Sequence, residues 1–160
     1  MKTYFALFAL LVGMVSCGGH KTESLDGTVW KLTAMENIPE EAITAEADAF
    51  TLEFNAADTV VYGRTNCNRF FGKYEDTKHS SSERSPMATT GELHFGNLGA
   101  TRMMCPDMEY ETAFLQMLGQ VNLYAIQDGE LTLYGGDSDS YERKPLATFR
   151  PTTLNEANEN

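Results

Sequence analysis

The stretch Tyr62-Gly63-Arg64-Thr65-Asn66-Cys67-Asn68-Arg69-Phe70-Phe71-Gly72-Lys73-Tyr74 decides how the rest of the chain is read. It follows the strand-forming Val60 and Val61, meets Gly63, passes a cysteine held between two asparagines, and resumes as an aromatic run. Glycine inside a strand pattern marks a bulge, a tight bend or the close approach of another backbone. Asparagine tolerates left-handed geometry and hydrogen-bonds nearby main chain. The reading is a bent, two-part strand with the Cys67 thiol at its corner. A second cysteine, Cys105, ends Gly99-Ala100-Thr101-Arg102-Met103-Met104-Cys105, just before a helical pattern. Cys67 and Cys105 are expected to meet in space and staple the sheet to that helix.

The N-terminus says which compartment that thiol pair occupies. Lys2 precedes an apolar run from Tyr4 to Val15, too short for a membrane span, which needs about 20 residues. The run ends in Met14-Val15-Ser16-Cys17 and resembles a bacterial lipoprotein leader, with residues 1–16 removed and Cys17 lipidated. Acyl chains, at about 0.8 kcal/mol per buried methylene, would hold the domain at a membrane surface. Cys17 aside, one even pair remains in an oxidising compartment, where disulfides persist. Cys67 and Cys105 stand 38 positions apart, a loop whose closure is worth roughly 4 kcal/mol. The alternatives are two reduced buried thiols or a metal or catalytic pair, although no Cys-x-x-Cys spacing is present.

In chain order, 17–26 reads as a polar tether. Thr28–Ala34 alternates as a half-buried strand around Trp30, and Glu36–Asp48 as an acidic loop with room for a helical turn. Phe50, Leu52 and Phe54 mark a second strand, and Asn55–Asp58 a hairpin turn into Thr59–Arg64. Asp76–Thr90, rich in serine and carrying His79, reads as an exposed loop. Glu92–Phe95 is a short strand, Gly96-Asn97 a turn, and Leu98–Met104 an extended segment. Pro106 suits the first turn of a helix. Tyr110, Phe114, Met117, Leu118 and Val121 then form one apolar face, with Gly119 as a possible C-terminal cap. Asn122–Gln127 and Glu130–Tyr134 are strands joined by Asp128-Gly129, and Leu146–Arg150 is the last extended piece. Residues 151–160 read as a frayed tail. One helix cannot cover both faces of a large sheet. The expected class is therefore α+β, mostly β: a curled antiparallel sheet or partly open β-barrel of about eight strands packed with one helix.

Asn66, Cys67, Asn68, Arg69 and Phe70 followed by Gly72, then Thr101, Arg102 and Cys105, then Glu111 on a helix, resemble the motifs of the META domain family, whose bacterial members are HslJ-like lipoproteins. Trp30-Lys31-Leu32 matches the opening strand of that family and Leu131-Thr132-Leu133 its closing hairpin. The resemblance runs from about Leu25 to Phe149, within a domain taken as 27–150. It implies a partly opened barrel with one helix, similar to the pilot lipoproteins of secretion systems, with no catalytic residues and no cofactor. It also implies an association with heat stress and resistance to novobiocin.

Twelve basic against 23 acidic residues give a net charge of −11, which excludes the basic footprint that nucleic acid demands. It also argues against adsorption of the folded body to anionic lipid. For an enzyme, the histidines are His20, His79 and His94, and none stands in a nucleophile–base arrangement. His94, between Leu93 and Phe95, should face outward. Two function classes therefore remain. One is a monomeric envelope-tethered binding module, on the periplasmic face of the outer membrane, with an apolar cleft between sheet and helix for a small molecule. The other is a protein-interaction or inhibitor module working through loops Asp76–Thr90 and Gly135–Ser140 on an envelope protein. Arg69 and Arg102 are read as structural cations, each paired to a carboxylate or a backbone carbonyl.

Overall fold

Period-two burial builds strands whose apolar residues share one face, and eight such strands have too few helices to cover them unless the sheet wraps upon itself. The computed structural model describes residues 24–79, 89–136 and 143–153. Within them lie strands β1 (Val29–Met35), β2 (Thr51–Asn55), β3 (Val60–Arg64), β4 (Arg69–His79), β5 (Thr89–Ala100), β6 (Val121–Gln127), β7 (Glu130–Gly135) and β8 (Lys144–Thr152). Helix α1 (Glu40–Thr44) joins β1 to β2, and α2 (Met108–Leu118) joins β5 to β6. Every strand pairs antiparallel with the next, and β8 returns to pair with β1. The expected strand count and antiparallel barrel are present, but the barrel is closed and not partly open: eight strands with no free edge.

The interior is aromatic. Trp30, Phe50, Phe54, Phe70, Phe114, Tyr124 and Phe149 are fully buried beside Leu32, Leu52, Leu93, Leu118 and Leu131. Phe114 carries α2 into this core, its ring meeting Phe50, Phe70 and Phe149 at centroid distances of 5.4, 6.0 and 6.3 Å. These edge-on contacts suit the quadrupoles of the rings. The rings thus fill the space between sheet and helix where an apolar cleft was expected.

Several expectations change. The quoted stretch is a hairpin and not one bent strand: β3 and β4 pair from Val60 opposite Lys73 to Arg64 opposite Arg69. Gly63 and Gly72 serve packing, not bending. A Cβ on Gly63 would stand 2.3 Å from the Phe70 ring, and one on Gly72 2.6 Å from Leu98. Thr65 makes the reversal, its hydroxyl oxygen accepting from the Cys67 and Asn68 amides.

Gly96-Asn97 is not a turn, because β5 runs through it. The two residues face a single Lys73 in a bulge, Gly72 pairing with Leu98 and Tyr74 with Phe95. The supposed loop from Asp76 is strand as far as His79, and strand resumes at Thr89; residues 80–88 lie outside the described ones. Asp76 belongs to β4 through its pairing with Leu93, and its side chain meets the Tyr124 hydroxyl; burial first, and Asp76 second, push that phenol above its usual range.

Helix α2 begins at Met108, two residues after Pro106, with Asp107 at its N-cap in left-handed backbone (φ 59°). The preceding segment is held elsewhere, Met103 by Asn68 and Cys105 by Cys67. Gly119 caps the helix in right-handed geometry, and Val121 opens β6. The acidic loop contains the short helix α1. The tether is fixed at its end: Leu25 is buried, its carbonyl accepting from the Trp30 indole, and Asp26 accepts from the Ala56 amide. The tail starts later than expected, since Pro151 and Thr152 belong to β8. Residues 154–160, like 137–142 of the second loop, lie outside the described ones.

Candidate functional site

Three local constructions surround the β3–β4 hairpin. The first is the corner at Thr65–Asn68. Cys67 and Cys105 form a disulfide with Cα atoms 6.0 Å apart. Beside it, Glu111 in the first turns of α2 is buried. Its Oε2 accepts from the Thr65 hydroxyl (2.5 Å) and the Asn68 amide (3.1 Å), and its Oε1 from Asn68 Nδ2 (3.1 Å). Asn68 Oδ1 in turn accepts from the Thr101 hydroxyl (2.7 Å) and the Met103 amide (2.8 Å). Thr101 Oγ1 accepts from the Arg69 amide, and Asn66 Nδ2 donates to the Asp107 carbonyl. A buried carboxylate is tolerable only when so supplied with donors. The corner is therefore a joint between hairpin, β5 exit and helix.

The second is a cradle for Lys31. Its Nζ donates to the carbonyls of Ile43 (2.8 Å), Glu46 (2.8 Å) and Ala49 (2.5 Å), gathering the segment between α1 and β2. Burial pulls the ammonium down to about 8, against the raising fields of Asp48 and Glu46. Phe50, next in the chain, sits in left-handed backbone (φ 51°), a conformation costly for so bulky a residue.

The third lies on the outer face of β1–β4. A groove of about 460 Å³ is lined by Val29, Glu53, Tyr62, Arg64, Arg69 and Phe71, among others. Tyr62 and Phe71 are opposite one another across β3 and β4, 45% and 60% exposed. Phe71 lies over Gly99 of β5, where an added Cβ would meet the ring at 3.5 Å, an ordinary contact. Arg64 is held by Asp48 and by Glu46 (3.2 Å).

A family model of the META domain matches residues 23–148. The chain belongs to the META domain family. No curated protein matches it. Among solved structures it is similar to the NMR structure of a protein from Burkholderia xenovorans, with 24% identity, a TM-score of 0.47, and coverage of 82% of this chain and 86% of that one.

Within this META domain the motif residues divide cleanly. Asn66, Asn68, Thr101 and Glu111 are drawn together in the corner, Phe70 enters the core and Gly72 gives room to Leu98. Arg69 and Arg102 depart from expectation. Both are exposed, and among the described residues neither side chain has a carboxylate or carbonyl partner. The Arg69 backbone, not its guanidinium group, carries the structural bonds: Thr101 N–H donates to the Arg69 carbonyl, and the Arg69 amide donates to Thr101 Oγ1. His94 is exposed on β5. His79 is the last residue of β4. Cys17 and His20 lie outside the described residues. Among those described, no helix is long and apolar enough to cross a membrane. The Lys31 cradle and the Tyr62–Phe71 groove escaped sequence reading. Alternation on β3 and β4 could have placed both rings outward, had Thr65–Asn68 been recognised as the turn.

Proposed function

We propose that this META domain is a non-catalytic binding module, held by acylated Cys17 at the periplasmic face of the outer membrane, that engages an envelope protein. Its working surface is the outside of the barrel at β1–β4. One observation supports this reading above the others. Two exposed aromatic residues stand opposite one another on β3 and β4, one of them over Gly99, while the interior is packed with rings of its own. Single exposed apolar residues are ordinary, but an exposed aromatic pair beside a groove is the form an interface takes. A part in heat or antibiotic tolerance would follow from what that partner does.

A photo-crosslinking residue in place of Phe71, in the full chain expressed in bacteria, is expected to yield one discrete adduct. The same residue in place of Gln116, exposed on α2 and outside the groove, should yield none. Equal, diffuse labelling from both positions would refute the assignment. Cys17→Ala should move the protein from the membrane to the soluble periplasmic fraction and weaken the adduct.

A further inference from the structure

The cross-strand register places cations in a line on this same face. Arg150 of β8 is opposite Lys31 of β1, Lys31 opposite Thr51 of β2, Thr51 opposite Arg64 of β3, and Arg64 opposite Arg69 of β4. Four of the 12 basic residues of a chain with net charge −11 thus share one row. The parallel row two residues along is Val29, Glu53, Tyr62, Phe71 and Gly99. At about 3.4 Å per residue the two rows run about 7 Å apart.

Three of the four cations are answered within the molecule: Arg150 by Glu130, Lys31 by three carbonyls, and Arg64 by Asp48 and Glu46. Arg69 is not, and it stands directly across from Arg64, where like charges oppose folding. Arg102, likewise unanswered among the described residues, follows Thr101 just beyond it. An arrangement with an unneutralised guanidinium beside two exposed rings is complementary to an anion attached to an apolar group. Arginine is suited to this, since its planar fork grips carboxylates and stacks on rings.

We infer that Arg69, at the Arg64 end of the groove, takes a carboxylate of an extended acidic segment of a partner protein, whose neighbouring apolar side chain lies across Tyr62 and Phe71. Asp48 and Glu53 line the same groove. They offer acceptors to peptide N–H groups and repel the dense negative surface of an anionic bilayer, which favours a peptide over lipid headgroups. The inference rests on reading this face as the working surface and adds the chemistry of what it binds.

The test uses immobilised full-length protein and a display library of random dodecapeptides. Enrichment of peptides with Asp or Glu near an aromatic or large aliphatic residue is the expected result. The tightest enriched peptide, measured by fluorescence anisotropy, should bind about fivefold more weakly to Arg69→Gln, the loss of one exposed ion pair. Phe71→Ser should weaken it at least as much, and Arg143→Gln should leave it unchanged. Because the Arg69 side chain has no partner within the described fold and faces Arg64, Arg69→Gln should melt no lower than the parent protein. Enrichment of neutral or basic peptides, or an acidic peptide indifferent to Arg69→Gln, overturns the inference. So does Arg69-dependent flotation of the protein with phosphatidylglycerol vesicles in place of peptide binding. If the Phe71 crosslink still finds a discrete partner in those cases, only the partner chemistry falls; if it does not, the choice of face falls with it.

Discussion

The Glu111 corner and the Lys31 cradle do the same job with opposite charge. At the corner a carboxylate collects N–H and O–H donors from a turn, and in the cradle an ammonium collects carbonyls from a loop. Both use a formal charge to bring irregular backbone onto the barrel, where loose polar groups would otherwise cost free energy. They differ in reinforcement. The corner has a disulfide and lies under a helix, while the cradle is half-exposed and has only its three hydrogen bonds. The first is a covalent joint, and the second a clasp that responds to its solvent.

Breaking each in turn tests that contrast. Replacing both Cys67 and Cys105 by serine should lower unfolding free energy by about 4 kcal/mol, read from urea denaturation. A loss no greater than that from disturbing Lys31 would erase the distinction. Glu111→Ala removes the acceptor shared by the Thr65 hydroxyl and two Asn68 donors, leaving each only its second partner, and should cost about 2 kcal/mol. Glu111→Gln, which keeps one acceptor, should retain part of this. Lys31→Met leaves the Ile43, Glu46 and Ala49 carbonyls to water and should cost about 1.5 kcal/mol, with hydrogen exchange accelerated between α1 and β2 and not at Asn68.

The same clasp can be tested through pH. Lys31 titrates at about 8 when folded and 10.5 when not. Between these values the unfolded chain holds more protons, so the contribution of this group to stability rises with pH and is lost as pH falls through about 8. The stability difference between parent protein and Lys31→Met should therefore widen from pH 7.5 to pH 10. A constant difference would mean that the carbonyls hold the proton as firmly as water does.

Local chemistry was legible and cross-strand chemistry was not. Asp128-Gly129 announced its hairpin because both residues take positive φ there. Alternation placed Trp30, Leu52, Phe54 and His94 on the correct faces. Thr65 concealed the central reversal, since its turn is made by a side-chain oxygen and not by a glycine. Without that reversal, Phe71 could not be set against Tyr62, nor Arg69 against Arg64. The cation row needs five strands in register, which no window of sequence contains. The Asp76–Thr90 stretch misled for another reason: polar strand residues that point outward, or meet an interior phenol as Asp76 does, look like loop when read singly.

The pairing of Val29 with Thr152 has a consequence for synthesis. The first strand waits for the last, so a chain delivered from its N-terminus keeps β1 unpaired on one side until nearly all of it has arrived. Such distant closure is slow, and an open edge invites strand exchange with other chains. Truncation before Lys144 would therefore leave two sticky margins, on β1 and β7, and turn a self-contained cylinder into a seed for aggregation.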